Sequence, residues 1–394
     1  MNRIGHFWKV FLILLMILAG WGLAFAKREN VGDSQTGLDL TFEVEGNFAR
    51  AEAPIEFQFP QDFGAHDDFQ TEWWYYTGNL ETGTGRRFGY QLTIFRRALL
   101  PPEKRFERPS EWAVEQVYLA HFAITDVQND RFYADEKLAR GSAGLAGAFG
   151  QPYFQVWLED WRVVQIDGNR FQLNAKSDRA DLVLFLTDLK GVVFQGEHGF
   201  SRKGEEIGNA SYYISQTRLL TEGKMTIEGQ SFDVKGWSWM DHEFSSAPLE
   251  DDLEGWDWFS LQLDDRTELM IYLLRQKTGG NSPSSSGTFV KATGEAVGLS
   301  HKDFQVEVLE RWKSSRSGAT YPSRWRIRVI PLRLELSIVP NLLDQELITE
   351  KSTRVTYWEG SVSVSGRSGQ NPVSGVGYVE MTGYAKPFNL TPTP

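Results

Sequence analysis

From about Glu56 onward the chain is a succession of short apolar runs broken by Gly, Asn and Asp. Runs at 88–95, 118–124, 154–158, 171–173 and 182–186 are rich in aromatic and β-branched residues, which suit a pleated surface. Turn signals such as Asp167-Gly168-Asn169 lie between them. A sustained 3.6-residue period is scarce: 110–116 has room for one or two helical turns, and the Gly/Ala-rich stretch 138–149 has no clear period. The pattern predicts an all-β chain built of barrels or sandwiches. By composition, 101–110, 276–288 and 313–322 read as mobile loops.

One pattern occurs twice. Trp73-Trp74-Tyr75-Tyr76-Thr77-Gly78-Asn79-Leu80 is followed by a Gly-rich turn and by Phe88 to Arg96. Trp256-Asp257-Trp258-Phe259-Ser260-Leu261-Gln262-Leu263 is followed by an Asp264-Asp265-Arg266 turn and by Thr267 to Arg275. Each reads as an aromatic strand, a turn, and an apolar strand ending in Arg, which is a hairpin. The copies start 183 residues apart and imply two related β-domains, expected over 54–243 and 244–388.

The N-terminus stands apart. Arg3, His6 and Lys9 precede a 17-residue apolar run from Val10 that ends in Leu23-Ala24-Phe25-Ala26. A basic start, an apolar stretch and an A-x-A site are the marks of an export signal over 1–26, followed by a polar linker over 27–53. The expected location is therefore the periplasm or outside the cell. The alternative is an uncleaved membrane tether, because the run is near the lower limit for spanning a bilayer.

Composition narrows the chemistry. Of 394 residues, 41 are Lys or Arg and 52 are Asp or Glu. Arg3 and Lys9 are the signal's only Lys or Arg residues and it has no acidic ones, so its removal leaves a net charge of −13. With no basic stripe, a nucleic-acid partner is not expected. There is no cysteine, which excludes disulfides, thiolate metal sites and a lipoprotein anchor. No Gly-x-Ser-x-Gly elbow, His-Glu-x-x-His pair or dinucleotide fingerprint occurs. No cofactor and no metal is expected; a metal site would have to be assembled in space from dispersed histidines.

What remains is aromatic and acidic. Six of the fourteen tryptophans form three pairs, each beside a carboxylate: Glu72-Trp73-Trp74, Trp237-Ser238-Trp239 leading to Asp241-His242-Glu243, and Trp256-Asp257-Trp258. On a strand Glu72, Trp74 and Tyr76 share one face, and Trp237, Trp239 and Asp241 share another. Such walls fit either a packed core or a pocket for a long apolar molecule. A carboxylate among indoles must be paired or protonated, and Arg96 and Arg275 are candidate partners. Asp241, His242 and Glu243 are the catalytic candidates. Glu72, Trp73, Trp74, Tyr76, Trp237, Trp239, Trp256, Asp257 and Trp258 are the ligand-binding candidates. His66-Asp67-Asp68 orients a catalytic group or stabilises a turn, and His121, within an apolar strand, is a functional candidate or equally a satisfied core histidine.

The segments His66 to Leu80, Ala210 to Ser215, Gly236 to Phe244, Gly255 to Phe259, Tyr357 to Gly360 and Gly377 to Tyr384 together resemble the AttH-like, carotenoid 1,2-hydratase-related proteins, lipocalin-like and often labelled predicted secreted hydrolases. The resemblance covers about 54–386. It implies two lipocalin-like β-barrel domains in tandem with a pocket near their junction. It also implies water addition to an acyclic isoprenoid in the carotenoid branch, and association with an envelope ABC transporter in the AttH-like branch. In that scheme Asp241 is the acid and His242 or Glu243 holds the water, although Phe244 stands where hydratases favour Trp. A hydro-lyase, a hydrolase and a non-catalytic lipid-handling protein all stay open, as do the ligand and the oligomeric state.

Overall fold

The computed structural model describes residues 47–105, 114–247 and 249–387. The signal 1–26, most of the linker and the possible helical turn from 110 lie outside the described residues. Within them the chain is all-β, in two antiparallel sheets.

The first sheet contains β1 (Thr71–Thr82), β2 (Arg87–Ala98), β3 (Gln116–Asp126), β4 (Arg131–Arg140), β5 (Ala146–Phe149), β6 (Gln155–Leu158) and β7 (Trp161–Asp167). It continues with β8 (Arg170–Lys176), β9 (Ala180–Asp188), β10 (Val193–Phe194), β11 (Phe200–Arg202), β12 (Ala210–Ile227) and β13 (Gln230–Ser245). The second contains β14 (Leu253–Leu263), β15 (Glu268–Gln276), β16 (Ser286–Val290), β17 (Ala296–Ser300) and β18 (Phe304–Lys313). It ends with β19 (Thr320–Val329), β20 (Leu334–Pro340), β21 (Glu346–Ile348), β22 (Thr356–Ser368) and β23 (Asn371–Met381).

The first sheet runs in the order β4-β3-β2-β1-β13-β12-β9-β8-β7-β6-β5. Its ends approach each other, with β3 touching β5 and β6 and β4 touching β6, so it is a nearly closed barrel. The second, β17-β16-β15-β14-β23-β22-β20-β19-β18, is a half-barrel. Alternation explains both interiors: Trp74, Tyr76, Leu92, Ile94 and Met240 fill the first, and Phe259, Ile271, Trp325, Trp358 and Met381 the second. The predicted repeat is two hairpins, β1–β2 and β14–β15. The sheets also correspond beyond them. A long-range strand closes on each first strand, β13 on β1 and β23 on β14.

Three sequence expectations change. Part of the expected linker is anchored: Ala51 is buried among Phe200, Tyr212 and Phe244, and Ala49 N–H bonds the Asp68 carbonyl. The Ser-rich 276–288 segment is pinned, with Ser282 and Ser285 buried and the Ser285 hydroxyl accepting from Leu274 N–H. In 313–322, Ala319 and Tyr321 are buried. Serine-rich composition reads as solvent-facing, yet here the hydroxyls satisfy strand-end backbone groups.

The sheets approach closely at β2 and β22. A Cβ on Gly89 would lie 2.6 Å from Ser361 Cβ, so only glycine fits there. Polar bonds cross the contact: Asn79 Nδ2 to the Gly377 carbonyl at 3.0 Å, and Gln262 Nε2 to the Thr217 and Ser238 carbonyls at 2.7 and 2.9 Å. His121 is a satisfied core histidine in the same seam, bonded to Tyr357 at 2.7 Å and Ser352 at 2.9 Å.

Candidate active site

Register decides which residues meet. On β1 and β13, Trp73 pairs with Glu243, Tyr75 with Asp241 and Thr77 with Trp239. These point out of the first barrel toward the second sheet, where Trp258 pairs with Glu380 and Glu380 with Glu359. The result is a buried junction cluster of Tyr75, Tyr213, Trp239, Trp258, Tyr272 and Tyr378, with half-buried Trp73, Leu249 and Trp256 packed against it.

Asp241 lies inside this cluster, 3% exposed. Tyr213 O–H donates to Oδ2 at 2.6 Å, and Ser215 O–H and Trp239 Nε1–H donate to Oδ1 at 2.5 and 2.7 Å. Trp258 Nε1–H in turn donates to Tyr213 Oη at 3.1 Å. Burial pushes the Asp241 acid up to about 7, against the pull of those three bonds and with help from the Glu243 charge. A hydroxyl can reverse its bond, so Tyr213 and Ser215 accommodate either protonation state. Burial also pushes Glu380 up to about 7, opposed by its bond from Trp256 Nε1 (3.2 Å) and helped by Asp241 and Glu243. Burial, then the Glu380 charge, holds Glu359 well above the usual range, and Gln91 Nε2 donates to its Oε2. Glu243 pairs with Lys203 at 3.0 Å.

A second polar cluster lies on the other face of the same strands, inside the first barrel. Glu72 Oε1 is 2.8 Å from His66 Nδ1 and 2.8 Å from His242 Nε2, while Oε2 takes Arg96 Nε at 2.8 Å and His66 N–H at 2.9 Å. Burial would raise Glu72, but the Arg96 charge and the two histidine bonds hold it well below the usual range. Burial opposes protonation of His66, yet its bonds to Asp62 and Glu72 raise it to about 9. Burial lowers His242, with Glu72 pulling the other way. Trp74 stacks on His242 at 5.1 Å and bonds the Phe63 carbonyl.

The predicted catalytic trio is therefore divided. Asp241 and Glu243 face the junction, whereas His242 faces the barrel interior, because neighbours on a strand point to opposite sides. Of the predicted ligand-binding residues, Trp73, Trp239, Trp256 and Trp258 are at the junction. Glu72 and Trp74 belong to the interior cluster, and Tyr76 is buried core. Trp237 lies under Arg218, whose guanidinium is 5.1 Å from its ring centre. Asp257 turns into the second sheet's interior, held by Arg275 at 3.0 Å and Tyr384 at 3.0 Å. Sequence reasoning missed Tyr75, Tyr213, Ser215, Glu359 and Glu380. All five lie in the segments that carry the resemblance, and applying the two-residue period to those segments would have placed Tyr213 with Ser215. Two surface clefts, of about 270 and 360 Å³, lie elsewhere, the first by Leu273 and Phe304, the second by Val193 and Thr288.

The AttH-like family model matches residues 50–384, which include every residue of both clusters. The chain belongs to the AttH-like family. An AttH-like protein of Nitrosomonas europaea is 35% identical and superimposes with a TM-score of 0.76 over 86% of this chain and 100% of its own. Kievitone hydratase from Nectria haematococca is 16% identical, with a TM-score of 0.64 over 86% of this chain and 97% of its own. CghA, solved with Sch210972, is 12% identical, with a TM-score of 0.50 over 89% and 97%. At these identities the last two share the fold. A search of curated proteins finds no match.

The AttH-like chain's buried acids have a consequence for stability. Asp241 and Glu380 sit near 7 when folded, against ordinary values of 3.8 and 4.5. A raised carboxyl pKa stabilises the fold below the unfolded value, and the contribution is lost as pH rises through about 7. His66, raised from 6.5 to about 9, contributes below 6.5 and loses it through 9. His121, lowered to about 3 by burial, acts the opposite way below 6.5, so pH 6 is the right reference. Stability should fall from pH 6 to pH 9 by on the order of a few kcal/mol. Calorimetric melting at the two pH values checks this, and an equal or higher midpoint at pH 9 refutes it.

Proposed function

We propose that the junction takes up a long apolar, isoprenoid- or lipid-like molecule and that Asp241 is the general acid for adding water across one of its C=C bonds. The observation that carries this is the Asp241 carboxyl enclosed by Trp239, Trp258 and Tyr75, with two reversible hydroxyls on its oxygens. Asp241 gives its proton to one alkene carbon as the π bond breaks. The cation left on the other carbon is stabilised by the indole faces. Water adds there, and its proton passes to the ionised Glu380, which the second sheet brings to the same junction. The net change is alkene plus water to alcohol. His242, on the far face, takes no part. Hydrolysis through a seryl nucleophile is less well supported, since Ser215 bonds Asp241 and Gln195 rather than an imidazole. That kievitone hydratase has this fold supports a hydratase reading.

The test is incubation of the purified protein with acyclic isoprenoids bearing a terminal double bond, in H₂¹⁸O, with products read by mass spectrometry. Gain of one labelled water is expected. A second reading has its own observation: the junction is filled by its own side chains, with only Trp73, Leu249 and Trp256 half-buried at its edge. On that reading the protein handles lipids without turnover, beside an envelope ABC transporter. Lipid that co-purifies at about one per chain, with no labelled product, decides for it.

We also propose that the protein is exported and acts in the periplasm or outside the cell, on the strength of the Arg3–Ala26 signal pattern. Intact mass of protein recovered from the envelope fraction should correspond to a chain starting at Lys27. A full-length mass in the membrane fraction points to the tethered alternative.

A further inference from the structure

We propose that His66, Glu72 and His242 form a binding site for a divalent transition-metal ion of the zinc class, inside the first barrel and apart from the Asp241 junction. One ligand atom from each, Nδ1, a carboxylate oxygen and Nε2, lies within 4.8 Å of the other two. Two imidazoles and one carboxylate are the donor set that zinc takes when it keeps a fourth position open. In a tetrahedral set with bonds of about 2.0–2.1 Å the ligand atoms stand about 3.3 Å apart. The two 2.8 Å separations from Glu72 Oε1 need to open by only about half an ångström, within reach of small side-chain rotations.

Around Glu72 and His66 the surroundings are arranged as an outer shell would be, whereas His242 Nδ1 has no hydrogen-bond partner among the described residues. Arg96 Nε and the His66 backbone N–H hold Glu72 Oε2, which leaves Oε1 turned toward both imidazoles. The far nitrogen of His66, Nε2, faces Asp62 Oδ1 at 3.5 Å, the carboxylate–histidine arrangement that orients a metal-bound imidazole. His242 is fixed by the Trp74 ring, and His66 stacks on Phe244 at 3.6 Å. Glu72 and His242 are fully buried, whereas the side chain of His66 is 17% exposed, so an ion has a route in past His66. Three carboxylates, Asp62, Asp67 and Glu72, surround the site beside the one guanidinium of Arg96. In the metal-free state hydrogen bonds from the imidazoles to Oε1 hold the same three side chains together, and an ion takes the place of the shared protons.

The experiment uses the full chain stripped with chelator, dialysed against Zn²⁺ and measured by elemental mass spectrometry, with Co²⁺ absorption as a second readout. One ion per chain and intense visible Co²⁺ bands are expected. His66→Ala, at the partly exposed ligand, should abolish stoichiometric binding while the far-UV circular dichroism stays unchanged. Asp62→Asn, which removes no ligand atom, should weaken it about tenfold. Asp241→Asn, at the junction, should bind as the parent does, which separates this site from the proposed water addition. The proposal is overturned if the stripped parent takes up no stoichiometric ion, or if His66→Ala and Asp62→Asn both bind as tightly as the parent.

Discussion

Asp241→Asn should lower turnover in the labelled-water assay by about 10²–10⁴-fold, the range for loss of a positioned general acid. Asparagine has the shape of the acid and keeps an oxygen for Trp239 N–H. The same oxygen still accepts from Ser215, while the amide nitrogen takes the Oδ2 place and donates to Tyr213, whose hydroxyl turns its own proton elsewhere. The aromatic walls are untouched, so ligand affinity should change by less than about threefold, worth under about 0.7 kcal/mol. Loss of kcat without loss of affinity is the signature of an interaction made only in the transition state. The same variant should be more stable than the parent at pH 9, because it removes a carboxylate that burial disfavours in its charged form. A variant that keeps more than about a tenth of parental turnover would show that Asp241 is not the acid, since even the weakest general acids give more than that.

The elements of the fold were legible because a half-buried strand writes its own period. The runs at 88–95 and 118–124 became the cores of β2 and β3, and the aromatic repeat became the β1–β2 and β14–β15 hairpins. The arginines closing each copy pair as expected, Arg96 with Glu72 and Arg275 with Asp257. The site was less legible, for two physical reasons. Adjacent residues on a strand look in opposite directions, so Asp241-His242-Glu243 reads as one cluster in sequence and serves two clusters in space. Closing a sheet also pairs strands far apart in the chain, and local periodicity carries no record of that. Nothing near Trp258 announces that Glu380 will lie beside it, just as Asp241 lies beside Tyr75. Asp241 on β13 and Glu380 on β23 therefore correspond, as the two hairpins do. The junction is a near-symmetric meeting of two strand pairs, each bringing a buried carboxylate, and the Asp241 charge helps burial to raise Glu380.

Glu268→Ala should destabilise the fold by about 3–5 kcal/mol, the cost of breaking a buried ion pair from one side. Glu268 is on β15 and fully buried, and both its cationic partners come from the first sheet's chain segment. Arg218 Nε bonds Oε1, and Lys190 Nζ is 2.6 Å from Oε2. Removing the carboxylate leaves two cations, with side chains 5% and 4% exposed, side by side at the seam with no counter-charge from Glu268. Backbone carbonyls soften the loss only in part: Arg218 Nη2 still donates to Leu263 O at 2.9 Å, and Lys190 to Lys291 O at 2.8 Å. In a chain of this size the change corresponds to a fall of about 10 °C in melting temperature. Glu268→Gln, which keeps acceptor oxygen but no charge, should cost less. The decisive comparison adds Arg218→Met and Lys190→Met to Glu268→Ala. If the penalty is uncompensated charge, the triple variant regains most of the lost stability, since apolar replacement of a buried ion cluster is often neutral. If it is lost packing between the sheets, the triple variant is weaker than the single one, and calorimetry distinguishes the two by the sign of the difference.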